Sequence, residues 1–179
     1  MDCRVLIPRQ ETEIIVDKAI KFLKSKVSSN QQIKILDLGT GSGALAIALA
    51  KFLPESIIYA TDISNDALQV AEINCSYHNV GKVVNLICLD GLTGFVGGVD
   101  LVVANPPYLS KKEMSEVQQE LLFEPNIALY GGLAGWEKSV ELIESTGQIM
   151  NDGGKAFFET SPECIDSITR EISKKQNVN

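Results

Sequence analysis

Ile33-Lys34-Ile35-Leu36-Asp37-Leu38-Gly39-Thr40-Gly41-Ser42-Gly43-Ala44 decides the fold of this chain. The first six residues are dominated by Ile and Leu and read as a buried strand. A glycine-rich turn follows, Gly39 to Gly43. From Ala44 to Phe52 the chain is apolar and helical in pattern, and Pro54 closes that helix. Strand, glycine turn, helix is the opening unit of a doubly wound α/β sheet, whose first turn meets a ligand. Glycine suits it because it takes positive φ and lets a ligand touch the backbone.

The pattern repeats in both directions. Residues 12–27 place Ile14, Ile15, Ala19, Phe22, Leu23 and Val27 at helical spacing, with Glu11 and Glu13 at the acid-favouring start and Ser28-Ser29-Asn30 as a break. Downstream, Ser56 to Thr61 reads as a second strand ending at Asp62, and Asn65 to Tyr77 as a helix capped by Ser64 or Asn65. Val83 to Leu89 is a third strand ending at Asp90, Gly91 to Gly98 a loop, and Val99 to Ala104 a fourth strand ending at Asn105. Pro106-Pro107 stops that strand because neither residue has an N–H to give. Lys111 to Leu122 reads as a helix. Glu124-Pro125 and Gly131-Gly132 bracket an irregular loop, and residues 134–149 read as a helix. Asp152-Gly153-Gly154 is a turn, Lys155 to Thr160 a fifth strand, and Pro162 to Lys175 a last helix. This alternation predicts one mostly parallel sheet with helices on both faces.

Composition narrows the function classes. A chain of 179 residues with 45% hydrophobic and 22% charged residues is one globular domain, not a disordered, collagenous or coiled-coil chain. Its apolar runs are too short to span a bilayer, and Met1-Asp2-Cys3-Arg4 forms neither a signal nor a transit peptide. A net charge of −7 with only the short basic pairs Lys111-Lys112 and Lys174-Lys175 argues against binding nucleic acid. Cys3, Cys75, Cys88 and Cys164, with His78 as the one histidine, have no metal-ligand spacing and read as free thiols of a reducing interior.

Each predicted strand ends in a polar residue, and in open α/β sheets ligands bind outside those ends. Gly39, Gly41 and Ala44 fit G-x-G-x-x-A, a dinucleotide fingerprint; Gly39, Gly41 and Gly43 fit G-x-G-x-G, which suits a ligand without a pyrophosphate. Asp62 lies 21 residues beyond Gly41 and can accept from both hydroxyls of an adenosine ribose, or cap the next helix. Asp90 can accept from an exocyclic adenine amine, or serve as a turn residue before Gly91. In Asn105-Pro106-Pro107-Tyr108, two prolines hold the Asn105 side chain and the Pro106 carbonyl in place. Both accept hydrogen bonds, and Tyr108 offers a flat face. The group is a clamp for a planar unit bearing –NH2.

The glycine loop, Asp62 and this tetrapeptide resemble class I S-adenosylmethionine-dependent methyltransferases that act on amino nitrogens. Further stretches resemble one branch, the HemK/PrmC family of protein-(glutamine-N5) methyltransferases. Val5-Leu6-Ile7-Pro8-Arg9-Gln10-Glu11-Thr12-Glu13 is similar to its L-I-P-R-P-x-T-E segment, with Gln10 in place of Pro. Asp37 to Ala44 is similar to D-L-G-T-G-[ST]-G-A. Phe123-Glu124-Pro125, Ala128-Leu129 and Gly131-Gly132 are similar to F-E-P-x-x-A-L-x-G-G. Glu159-Thr160-Ser161 stands where E-[IV]-G is usual, and Gly91 where many members carry a larger residue.

The resemblance implies a Rossmann-like class I methyltransferase fold that uses S-adenosyl-L-methionine and no metal. It implies cofactor binding by Gly39, Thr40, Gly41, Ser42, Gly43, Asp62, Asp90, Gly91 and Asn105. It places substrate on Asn105, Pro106, Pro107 and Tyr108, with Asn105, Pro106 and Tyr108 catalytic; Glu11, Glu13 and Glu124 are candidates for ordering the pocket. The implied partner is a peptide-chain release factor, methylated on the glutamine of its Gly-Gly-Gln loop, with no direct nucleic acid or membrane contact. The implied state is a monomer, cytoplasmic in bacteria and mitochondrial in eukaryotes. Residues 1–179 correspond to the methyltransferase domain. The family's upstream helical domain and two terminal strands are absent, which implies weak cofactor binding, poor solubility and slow transfer. Two alternatives fit the same residues: an adenine-specific nucleic-acid methyltransferase, and a cofactor-binding module without catalysis. A dinucleotide oxidoreductase is the weakest rival, since no segment resembles a nicotinamide site.

Overall fold

A computed structural model of the chain describes residues 2–26, 32–116 and 123–176. A 3-10 turn at Gln10–Thr12 leads into α1 (Glu13–Lys26). There follow β1 (Lys34–Leu38), α2 (Ala44–Phe52), β2 (Ile57–Asp62), α3 (Asn65–Tyr77), β3 (Val84–Cys88) and β4 (Val99–Ala104). Beyond Asn105 come β5 (Leu109–Ser110), α4 (Lys111–Glu116), α5 (Asn126–Leu129), β6 (Tyr130–Gly132), α6 (Glu137–Thr146), β7 (Met150–Phe158) and α7 (Pro162–Gln176).

The main sheet has the order β3-β2-β1-β4-β7, and every pairing is parallel. The expected doubly wound parallel sheet is therefore borne out. Its central strands are buried almost throughout, as strands covered on both faces must be. Side chains alternate between two cores. Ile35, Leu101 and Val103 pack with α1 and α2, while Leu36, Leu38, Val102 and Ala104 pack with Leu142 of α6. Each fully buried Leu or Ile contributes about 1.5–3 kcal/mol, so these two layers supply much of the stability.

The strand order reverses between β1 and β4, which is the topological switch point where ligands of such sheets bind. In the register there, Leu38 lies opposite Ala104. The next residues, Gly39 and Asn105, therefore leave the sheet side by side. That adjacency brings the glycine loop and the Asn-Pro-Pro-Tyr turn together.

Helices α2 and α3 coincide with the sequence reading, and the Ser64 hydroxyl caps α3 by accepting from Ala67 N. Elsewhere the structure differs. The helix expected over 111–122 is seen as Lys111–Glu116; positions 117–122 lie outside the described residues, as do Val27 and Ser28-Ser29-Asn30. The helix expected over 134–149 is confined to Glu137–Thr146. The turn at Asp152-Gly153-Gly154 is a bulge inside β7: Val99 pairs with Met150 but Leu101 with Lys155, and Gly153 has φ +69°. The loop between Glu124 and Gly132 is also more regular than expected. Its β6 pairs with β5 in a small parallel sheet.

Candidate active site

The glycine loop is tied down from behind. Gly39 N and Thr40 N donate to the Thr61 carbonyl at 2.9 and 2.8 Å. Gly41 N donates to Asp62 Oδ2 at 2.8 Å, and Ser64 N to Asp62 Oδ1 at 2.9 Å. Asn74 Nδ2 donates to the Ser42 carbonyl at 2.8 Å. Gly39, Gly41 and Gly43 all have positive φ, so the loop needs glycine at each. Asp62 ends β2, and its carboxylate ties the glycine loop at Gly41 to Ser64, the N-cap residue of α3.

Asp37 is sealed beneath the loop. Its Oδ2 accepts from Thr40 Oγ1 at 2.6 Å and from Ala46 N at 3.0 Å. Burial pushes its carboxyl up to about 6, against the opposing pull of the two hydrogen bonds, and the charge of Asp62 adds to the rise. The folded chain therefore holds this proton more tightly than the unfolded chain does. The stabilisation is complete below the unfolded value of 3.8 and is lost as pH rises towards 6. In total it amounts to about 3 kcal/mol. Asp37→Asn should remove this slope, so the variant gains stability relative to wild type between pH 4 and pH 6, read by denaturant unfolding at both ends. Parallel curves for the two proteins would show that Asp37 ionises normally.

In front of the loop lies a cleft of about 590 Å3, within the range of ligand pockets, roughly 300–1,000 Å3. It is lined by Gly39, Thr40, Gly41, Ser42, Asp62, Asp90, Gly91, Asn105, Pro106 and Pro107, with a largely apolar floor. Gly43 is not among these. A Cβ there would sit 3.3 Å from Ala71 Cβ, so Gly43 lets α2 pack closely on α3 and lies away from the ligand side. A Cβ on Gly39 or Gly41 would meet no atom within 4 Å and would project into open space. Asp90 is exposed at the rim.

A smaller cleft of about 170 Å3 lies behind the clamp, lined by Arg9, Tyr108 and Leu109 among others. Leu6, Asn105, Pro106, Pro107 and Ala128 line both clefts and form the wall between them, whereas Tyr108 faces only the smaller. Burial raises the Tyr108 phenol above its ordinary value, and the charge of Glu159 adds to the rise. Arg9 Nη2 meets Glu124 Oε1 at 2.7 Å, tying the N-terminal segment to the stretch before α5. Strand β6 is pressed against the clamp: a Cβ on Gly131 would lie 2.5 Å from the Pro107 carbonyl oxygen and 2.7 Å from Tyr108 Cα.

Asn105 Nδ2 donates to Thr12 Oγ1 at 3.2 Å, and Thr12 Oγ1 donates to Glu159 Oε2 at 2.8 Å. Asn105 Oδ1 is buried and has no partner among the described residues. Thr12 and Glu159 were not singled out as site residues from the sequence. The only signals were their places in the Leu6–Glu13 segment and at the end of the fifth strand. Among the described residues no group of three or more His, Cys, Asp or Glu could hold a metal, and no helix is long and apolar enough to cross a membrane.

A sheet of this order, with its crevice at the β1/β4 switch point, is that of class I S-adenosylmethionine-dependent methyltransferases, the class the motifs implied. Residues 12–132 match the family model of the methyltransferase small domain, and the chain belongs to that family. It is 39% identical over 178 residues to the release factor glutamine methyltransferase of Rhodopirellula baltica, covering 98% of this chain and 60% of that protein. It is 35% identical over 182 residues to the enzyme of the same name from Streptococcus pneumoniae, covering 99% and 63%. The chain thus spans about three fifths of the curated relatives it matches. Among solved structures it resembles the ribosomal protein L11 methylase of Lactobacillus delbrueckii, with TM-score 0.62 and 21% identity over 95% of this chain and 70% of that one. It also resembles the hMettl16 catalytic domain, with TM-score 0.72 and 12% identity over 98% and 66%. These last likenesses show shared fold alone. Methyltransferases of this class take the methyl group from S-adenosylmethionine. The residues present fit that cofactor: the cleft is of the right size, its glycines leave room against the backbone, and carboxylates stand at the ends of β2 and β3.

Proposed function

We propose that this chain transfers a methyl group from S-adenosylmethionine to the side-chain amide nitrogen of the glutamine in the Gly-Gly-Gln loop of a peptide-chain release factor. The observation that carries this reading is Asn105, which lines both clefts and whose buried Oδ1 has no partner among the described residues. A buried acceptor left unpaired costs about 1–3 kcal/mol, so its position calls for a donor from outside the chain. A primary amide supplies one.

On this reading the larger cleft holds the cofactor and the smaller one admits the glutamine. Gly39 to Ser42 line the cofactor from its backbone side. Asp62 takes the ribose, because each of its oxygens accepts one backbone N–H and keeps a lone pair for a hydroxyl. Asp90 and Gly91 stand beside the adenine. Bound S-adenosylmethionine supplies an electrophilic methyl group. Asn105 Oδ1 and the Pro106 carbonyl accept the two N–H bonds of the amide and hold its nitrogen at the wall. An amide nitrogen is a poor nucleophile because its lone pair is delocalised, and acceptors on its hydrogens favour charge developing there. Tyr108 closes the substrate side. Residues 1–179 serve as the methyltransferase domain. The net charge of −7 favours a protein substrate over nucleic acid.

Isotope transfer from methyl-labelled cofactor tests this. Release factor should take up label, and release factor with the Gly-Gly-Gln glutamine replaced should not. Label in duplex DNA or RNA with none in release factor would overturn the reading.

A further inference from the structure

The unpartnered Oδ1 of Asn105 poses a question of direction. An Asn side chain has an acceptor at one end and a donor at the other, and a simple flip exchanges them. For an amide substrate the two orientations are opposite in effect. With Oδ1 free the site accepts from an N–H; with Nδ2 free it presents N–H to N–H and repels.

The neighbours of Asn105 settle that choice. Glu159 follows β7, and its backbone N donates to the Ala104 carbonyl at 2.9 Å, so it emerges beside Asn105. Ionised, its carboxylate can only accept. Thr12, 7% exposed, closes the 3-10 turn before α1. Its hydroxyl has one hydrogen, and Glu159 Oε2 takes it at 2.8 Å. The Thr12 oxygen is then left only as an acceptor, and it receives Asn105 Nδ2 at 3.2 Å. Each donor points towards Glu159, and Oδ1 is the end that remains.

We propose that Thr12 and Glu159 are positioning residues. Glu159 is the terminal acceptor of a relay through the Thr12 hydroxyl that fixes the Asn105 amide with Oδ1 presented to the substrate N–H. Thr12 also lines the larger cleft, with its hydroxyl committed to Glu159 and Asn105. Thr12 and Glu159 act by selecting one of two orientations of Asn105, and so make the clamp selective for nitrogen nucleophiles that carry hydrogens. The inference rests on the amide-clamp reading and deepens it.

The test compares Thr12→Val, Thr12→Ser, Glu159→Leu, the Thr12→Val/Glu159→Leu double variant and Asn105→Ala in the full chain. The readouts are single-turnover methyl transfer to release factor, cofactor affinity by calorimetry, and melting temperature. Thr12→Val keeps the side-chain volume but removes the hydroxyl, and its turnover should fall roughly 100-fold, the usual scale for a misplaced reacting group. Its cofactor affinity and melting temperature should stay near wild type. Thr12→Ser restores the hydroxyl and should restore most of the rate. Glu159→Leu should match Thr12→Val, and the double variant should lose no more than either single, because both break one relay. Wild-type turnover in Thr12→Val beside an inactive Asn105→Ala would overturn the relay and spare the clamp. Wild-type turnover in Asn105→Ala would overturn the clamp, and the relay with it. Additive losses, or loss of cofactor affinity and melting temperature without rescue by Thr12→Ser, would overturn the relay in favour of a tie that merely holds the 3-10 turn.

Discussion

Asn105→Ala should abolish methyl transfer to release factor while the protein stays folded. The change removes a buried acceptor that has no partner among the described residues and belongs to a residue lining both clefts. On the mechanism proposed above, that atom both orients the amide and meets charge developing at its nitrogen. Removing one preorganised partner of a developing charge costs roughly 100- to 1,000-fold in turnover, and loss of orientation adds to it. The structural cost is small by comparison. The hydrogen bond from Nδ2 to Thr12 is neutral and worth about 1 kcal/mol. Asn105→Asp is the more searching variant. It keeps an acceptor, but it cannot donate to Thr12 and places a second carboxylate beside Glu159. It should also lose most of the rate while cofactor affinity changes little. Single-turnover rates and melting temperatures for the three proteins decide the matter, and near-normal turnover in Asn105→Ala would remove the clamp from the reaction.

The second large effect is expected at a residue that has no side chain. Gly131→Ala adds a single methyl group, yet that carbon would lie 2.5 Å from the Pro107 carbonyl oxygen and 2.7 Å from Tyr108 Cα. Both neighbours are backbone, so neither can rotate away. Pro106-Pro107 is stiff, and the clamp must shift as a unit or β6 must peel from β5. A displacement of even 1 Å at a reacting group costs roughly 100-fold in rate, and overpacking typically costs about 1–3 kcal/mol of stability. Turnover should therefore fall steeply with a modest drop in melting temperature, while cofactor affinity, which the proposed mechanism assigns to the loop after β1, changes less. A variant with wild-type turnover would show that the clamp tolerates movement and that its rigidity is not what positions the substrate.

Several features of the fold were visible in the order of residues. The glycine loop after Ile33–Leu38 and the alternation of strand and helix implied a parallel doubly wound sheet, and helices Ala44–Phe52 and Asn65–Tyr77 stand where periodicity put them. These features are local, because helical spacing, capping and turn chemistry depend on residues a few positions apart. The bulge in β7 was less legible. Asp152-Gly153-Gly154 has turn chemistry, and only pairing with β4 turns it into a bulge within one strand. The β5–β6 pair was invisible for a related reason: two or three residues carry no periodicity, and their pairing exists only once the clamp brings them together.

The candidate site divides along the same line. By itself the sequence determined the inventory: a glycine loop, acids after two strands, the Asn-Pro-Pro-Tyr turn, and the flanking segments that resemble one methyltransferase family. It left Gly43 among the ligand-side residues, although packing on Ala71 assigns it to the contact between α2 and α3. Tertiary structure alone decided the rest. It set Leu38 against Ala104 and so put the glycine loop beside Asn105. It divided the crevice into two clefts with the clamp as their wall. It also joined Thr12, Asn105 and Glu159, which are separated by 93 residues in one link and 147 in the other. No local rule reaches across such distances. The direction of a hydrogen bond depends on which donor and acceptor the folded sheet places within about 3 Å of each other.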